Sequence, residues 1–190
     1  WKTIWQGAWP RVINMTPRQR LFFYSGLVQT YLERDVRTEA GVEKLSAFRG
    51  FLRELALRTG QELRIGDIAK TVGVSDKTIN GWLSIAENSG LIYLLRPYYA
   101  NIGKQFVKSP KIYFTDTGLA AYLIGFSSPE KMAEYTASGA FFETFVIMEI
   151  LKGWVHNGER LIFGANDSQR DWRRGHRQNF SKNPDICNQP

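Results

Sequence analysis

The sequence predicts a mainly α chain with a small β-wing: a helical bundle plus a winged helix-turn-helix, with room for a truncated α/β remnant at the C-terminus. Three observations predict it. Apolar residues recur at spacings of three and four along most of the chain up to Trp154. The segment Arg64–Leu83 places apolar, alanine and glycine residues where two short crossing helices need them. Two short β-prone runs, Leu91–Leu95 and Lys111–Thr115, follow as a pair of wing strands.

Residues 1–17 hold Gly7, Pro10 and Pro17 among Trp1, Trp5 and Trp9 and read as an irregular leading segment anchored by aromatics. A helical and winged-helix domain is expected over 18–125, C-terminal helices over 126–165 and a polar, flexible tail over 166–190. Thr16 is placed to cap the first helix, with Pro17 at its first position. That helix carries Leu21, Tyr24, Val28, Tyr31, Leu32 and Val36 at helical spacing, and Gly41 ends it. The next, about Val42–Arg58, puts Leu45, Phe48, Phe51, Leu52, Leu55 and Ala56 on one face, and Thr59-Gly60 terminates it.

The helix-turn-helix is the most specific feature. Ile65, Ile68, Ala69 and Val72 fall at i, i+3, i+4 and i+7, and the small Ala69 lets a second helix cross closely. Gly73 occupies the turn, where a positive φ is needed. Val74 fills the space beneath it, Ser75 caps the second helix and Asp76 favours its positive end. Ile79, Trp82, Leu83 and Ala86 then face the core, leaving Asp76, Lys77, Asn80, Gly81 and Ser84 outward. After the second wing strand, Asp116 caps a short helix, Thr117–Leu123, stopped by Gly125. Ser128 caps another with Pro129 at its first position. The last helix, about Ala140–Trp154, is apolar nearly all round and is expected to be mostly buried.

Composition narrows the function classes. The 190 residues are 43% hydrophobic and 14% aromatic, as in a globular protein, and no apolar run is long enough to span a bilayer. An opening at Trp1 without an initiator Met is expected of a fragment of something longer, and no membrane partner is expected. One cysteine, Cys187, excludes a disulfide framework and makes a cytoplasmic location the default. Two histidines, His156 and His176, are too few for a zinc site or a serine-type triad. A formal charge of +7 favours an anionic partner, with nucleic acid first among the candidates.

On a DNA reading, Asn80 suits adenine and Lys77 guanine or phosphate, with Ser84 a further outward candidate; Arg96, Lys104, Lys108 and Lys111 on and around the wing suit phosphates. The second helix nonetheless offers a single cation beside one acid, so docking of a protein, or plain packing, stays open beside DNA contact. The acids and arginine of Glu33-Arg34-Asp35 read as a solvated helix face, with an arginine finger toward a neighbour's nucleotide as the alternative. The cluster Arg170-Asp171-Trp172-Arg173-Arg174 reads as tail, with a phosphate backbone and a stacked base as its alternative ligand.

Several strings together resemble a known family: Tyr31-Leu32-Glu33-Arg34-Asp35-Val36, Leu57-Arg58-Thr59-Gly60-Gln61, the helix-turn-helix, Lys108-Ser109-Pro110-Lys111 running on to Asp116-Thr117-Gly118-Leu119, and Gly139-Ala140-Phe141-Phe142-Glu143. In this order, over about residues 4–163, they resemble the uncharacterised domain that follows the nucleotide-binding domain of prokaryotic AAA-type ATPases. The resemblance implies a parent with P-loop and Walker B motifs upstream, and this chain has no Gly-x-x-x-x-Gly-Lys-Ser/Thr string. It therefore implies no cofactor here, with ATP and Mg in the N-terminal domain, and three kinds of partner: DNA, the chain's own ATPase domain, or another protein. The family also tends to continue into an endonuclease-like core, whose early acid Glu143 would match. No Glu-x-Lys follows Gly164, so a nuclease is not expected, and residues 164–190 read either as the family's natural end or as a frame-altered tail.

Overall fold

A computed structural model describes residues 1–31, 43–98, 109–155 and 163–164. In chain order they form α1 (Lys2–Gln6), a 3-10 turn (Pro10–Val12), α2 (Pro17–Tyr31), α3 (Glu43–Leu57), α4 (Ile65–Val72), α5 (Asp76–Asn88), β1 (Ile92–Leu95), β2 (Pro97–Tyr98), β3 (Lys111–Phe114), α6 (Thr117–Ile124), α7 (Pro129–Ala133), α8 (Ser138–Val155) and β4 (Phe163–Gly164). The chain is thus mainly helical with a small antiparallel sheet, as the sequence predicts.

Helix boundaries follow their capping chemistry. Thr16 and Gln19 form a reciprocal box at the start of α2: Gln19 N–H donates to Thr16 Oγ1 at 3.3 Å and Thr16 N–H to Gln19 Oε1 at 2.9 Å. Ser75 Oγ accepts from Thr78 N–H, Asp116 from Leu119 N–H and Ser128 from Lys131 N–H, opening α5, α6 and α7. Gly73, at φ 77°, closes α4 in the left-handed conformation the turn requires.

The core runs through α3. Phe48 and Phe51 pack edge-on and tilted against Trp82 of α5, at centroid separations of 5.3 and 5.5 Å. Phe51, Leu55 and Ala56 are fully buried among Ile68, Ile79, Ile112 and Phe114. β1 and β3 pair antiparallel, with Ile92 opposite Phe114 and Leu95 opposite Lys111. Period-two alternation sends Ile112 and Phe114 into this core. Tyr113 and Leu95 lie in a second cluster with Met148 and Leu151 of α8. The wing is therefore covered by α8 on its outer face.

A buried chain of hydroxyls holds α8 there. Thr144 Oγ1 gives its proton to Ala140 O at 2.7 Å, so the 2.9 Å bond between the two threonines must be donated by Thr59. Thr59 Oγ1 in turn accepts from Phe114 N–H at 3.2 Å, joining the end of α3, β3 and α8.

Four expectations need correction. The leading segment is not irregular throughout. Ile4 and Trp5 share a buried side, which makes a short helix worth forming before Gly7 (φ 92°) ends it. On α2 the buried line is Arg20, Tyr24 and Val28, whereas Leu21 is 55% exposed; Arg20 and Tyr24 bond to Trp5 O and Gln6 O of the leading segment, which turns that line inward. α8 is buried along one line only, through Phe141, Thr144, Met148 and Leu151, and Phe142 and Val146 stay exposed on the side where no described element packs. Finally, Phe163–Gly164, within the 126–165 stretch expected as C-terminal helices, is a short strand that pairs in parallel with Pro97–Tyr98. Gly41, the Glu33-Arg34-Asp35 string and the tail lie outside the described residues.

Candidate nucleic-acid interface

The interface is built on α5. Its inner face is fixed by Ile79, Trp82, Leu83 and Ala86, all buried. That fixation turns Asp76, Lys77, Asn80, Gly81 and Ser84 outward, and all five are exposed. The predicted candidates Lys77, Asn80 and Ser84 thus share one open surface.

Their polar atoms are not equally available. Asn80 Nδ2 donates to Asp76 O at 2.9 Å, and Ser84 Oγ donates to Asn80 O at 3.1 Å, both bonds returning four residues along the helix. Lys77 makes no ion pair among the described residues. On the first helix of the motif, Arg64 at the N-cap of α4 and Lys70 in its last turn are also exposed. These two were missed in the sequence, although their places on the first helix of the motif were signal enough. Asp67 and Asp76 are the acids on this surface.

The wing candidates separate. Arg96, just after β1, is exposed, its guanidinium 3.9 Å from Glu87 on α5. Lys104 and Lys108 lie outside the described residues. Lys111 does not project freely from the wing: its ammonium is held 2.9 Å from Glu143 on α8. Lys111 and Tyr113, two residues apart, stand on the same side of β3, and the Tyr113 hydroxyl donates to the same Glu143 oxygen at 2.6 Å. Glu143, matched in sequence to an endonuclease acid, therefore serves here as the shared acceptor that ties the wing to α8. Burial, with the Glu143 bond and charge adding to it, pushes the Tyr113 hydroxyl far above its ordinary range.

A second polar cluster lies in the interior. Asp116, 4% exposed, accepts from Tyr24 Oη, Ala8 N–H and Leu119 N–H, each at 2.7 Å. Arg20, also buried, lays its guanidinium 3.4 Å over the Trp5 ring and donates to Trp5 O at 2.6 Å, while its Nε has no partner among the described residues. Trp5 Nε1 closes the arrangement on Phe126 O at 2.9 Å. These bonds fasten the leading segment to the body. Trp1 and Trp9 are 46% and 38% exposed, so Trp5 is the one buried anchor of the three, with the Trp9 ring edge-on to Phe23 of α2 at 6.1 Å. Among the described residues no three His, Cys, Asp or Glu side chains converge to hold a metal, and no helix is long and apolar enough to cross a membrane.

A family profile described as a domain of unknown function, DUF8612, matches residues 1–130. Two uncharacterised mycobacterial proteins, Rv2008c of Mycobacterium tuberculosis and Mb2031c of Mycobacterium bovis, are each 32% identical over 126 residues, covering 66% of this chain and 28% of the relative. An uncharacterised protein of Haemophilus influenzae is 28% identical over 169 residues, 86% of this chain and 39% of the relative. The chain thus spans between about a quarter and two-fifths of the length of these relatives. No solved structure matches.

Proposed function

This chain belongs to the family of the domain of unknown function DUF8612, and we propose, on the resemblance of its motif strings, that it is the non-catalytic accessory part of a larger, cytoplasmic AAA-type ATPase that contacts DNA through its winged helix-turn-helix. The observation that carries the reading is the openness of α5. Lys77, Asn80 and Ser84 are exposed on a helix whose opposite face is locked into the core, the presentation a duplex groove requires. The net charge of +7 supports an anionic partner. The greater length of the relatives leaves room for an ATP-binding domain elsewhere, and ATP and Mg belong there on this reading.

Fluorescence anisotropy of a labelled duplex tests it. The chain should raise the anisotropy at low salt, and Lys77→Glu should weaken the binding; no rise with the unmodified chain overturns DNA contact. Calorimetric titration with MgATP should give no heat of binding, and tight binding by this chain would overturn the assignment of ATP to another domain.

A protein partner, the ATPase domain included, is the second reading. Ile13, Leu21 and Phe22 favour it, being 62%, 55% and 63% exposed.

A further inference from the structure

We infer that the duplex contacted by this module is held by its phosphodiester backbone and that the base sequence is not read. This deepens the DNA reading above and rests on it. Base reading by a recognition helix needs side chains with free donors and acceptors aimed along the groove; adenine, for instance, needs both ends of an Asn amide. On α5 some of these donors turn back onto the helix's own carbonyls. Asn80 Nδ2 is bonded to Asp76 O and Ser84 Oγ to Asn80 O. Gly81 between them has no side chain, and Asp76 at the leading end presents a carboxylate. Lys77 is the one cation on the face.

Further exposed cations lie on the neighbouring elements rather than on α5 itself. Arg64 and Lys70 lie on α4 across the Gly73 turn, and Arg96 lies at the base of the wing. Arg64, Lys70 and Lys77 have no ion-pair partner among the described residues, and Arg96 meets Glu87 only at 3.9 Å. Exposed cations on α4, on α5 and just after β1, together with a helix face whose donors turn back onto the helix, suit contacts to phosphates. Each phosphate neutralised contributes roughly −0.9 to the slope of log K against log salt, so three or four cations predict a slope of about −3.

The test uses the 190-residue chain with three labelled duplexes: mixed sequence, A·T only and G·C only. Backbone binding predicts affinities within about threefold of one another and a slope of about −3. It also predicts that Lys70→Gln and Lys77→Gln each flatten the slope by about one, while Asn80→Ala changes affinity less than about twofold. An Asn80 that reads adenine would instead make Asn80→Ala cost roughly 5- to 160-fold on its preferred duplex. That result, or a sequence motif enriched from a random duplex library, overturns the inference and leaves DNA contact standing. No binding to any duplex at low salt overturns both and favours a protein partner.

Discussion

The hydroxyl of Tyr24 donates to the carboxylate of Asp116 at 2.7 Å across 92 positions of sequence. That bond joins α2 to the turn before α6, and the same carboxylate holds Ala8 N–H of the leading segment at 2.7 Å. Three parts of the chain therefore meet on one buried acid. With Arg20 gripping Trp5 beside it, the leading segment is part of the folded body.

Removing that acid should be costly. Asp116→Ala strands two backbone N–H donors, leaves the Tyr24 hydroxyl with Gln6 O at 3.0 Å as its acceptor, and also uncaps α6. A loss of about 3–5 kcal/mol is expected, read as a lower urea midpoint at unchanged slope. Tyr24→Phe should cost about 1–2 kcal/mol, and the pair should couple by at least about 0.5 kcal/mol in a double-mutant cycle. Strict additivity would dissolve the link between them.

The same tyrosine predicts alkaline sensitivity. Burial first, then the charge and hydrogen bond of Asp116, push the Tyr24 hydroxyl well above the ordinary tyrosine value, and Tyr113 is raised in the same direction by burial and Glu143. A group whose folded pKa is raised lends stability that is full below its unfolded value, near 10 for tyrosine, and is lost as pH rises beyond it. Unfolding free energy should thus fall above pH ~10, by up to about 1.4 kcal/mol per pH unit for each buried tyrosine. Tyr24→Phe should lessen that slope. A variant as steep as the unmodified chain would place the sensitivity elsewhere.

What the sequence disclosed was what neighbours in sequence determine. Ser75, Asp116 and Ser128 cap within three residues of themselves, Gly73 bends one turn, and the α3 and α5 faces repeat at helical spacing. What it concealed was long-range. Asp116 was legible as a cap but not as the partner of Tyr24, because nothing local to either residue names the other. Lys111 looked like a free wing cation until α8 brought Glu143 to it. Arg20 lies four residues before Tyr24 and eight before Val28, so its inward face was legible, but its charge argued against burial. The openness of α5, central to the candidate interface, followed from the period of its buried residues and so was visible in advance.

Two glycines should respond oppositely to alanine. Gly118 sits against Tyr24 Oη and the Gln6 backbone, which leave no room for a Cβ. Gly118→Ala must push the leading segment off α6 and should cost about 3 kcal/mol or more. Gly81 has open space and lies inside a helix, so Gly81→Ala should add about 0.5–1 kcal/mol. Thermal unfolding of the two variants side by side checks both signs, and equal shifts would contradict the close approach at Gly118.

The attachment of the wing to α8 can be divided between its two bonds to Glu143. The Lys111 ion pair is partly solvated, at 30% and 42% side-chain exposure, so it contributes at most about 0.5 kcal/mol. Tyr113 is 1% exposed, and its hydroxyl bond to Glu143 is the one whose loss leaves a buried group without a partner. Glu143→Ala should therefore cost about 1–2 kcal/mol, Lys111→Met well under 1 kcal/mol, and Glu143→Gln, which still offers an oxygen, should fall between them. Added salt should change these differences little, because the dominant bond is not an ion pair. If Lys111→Met proves as damaging as Glu143→Ala, the charge holds the wing and the tyrosine merely fills space beside it.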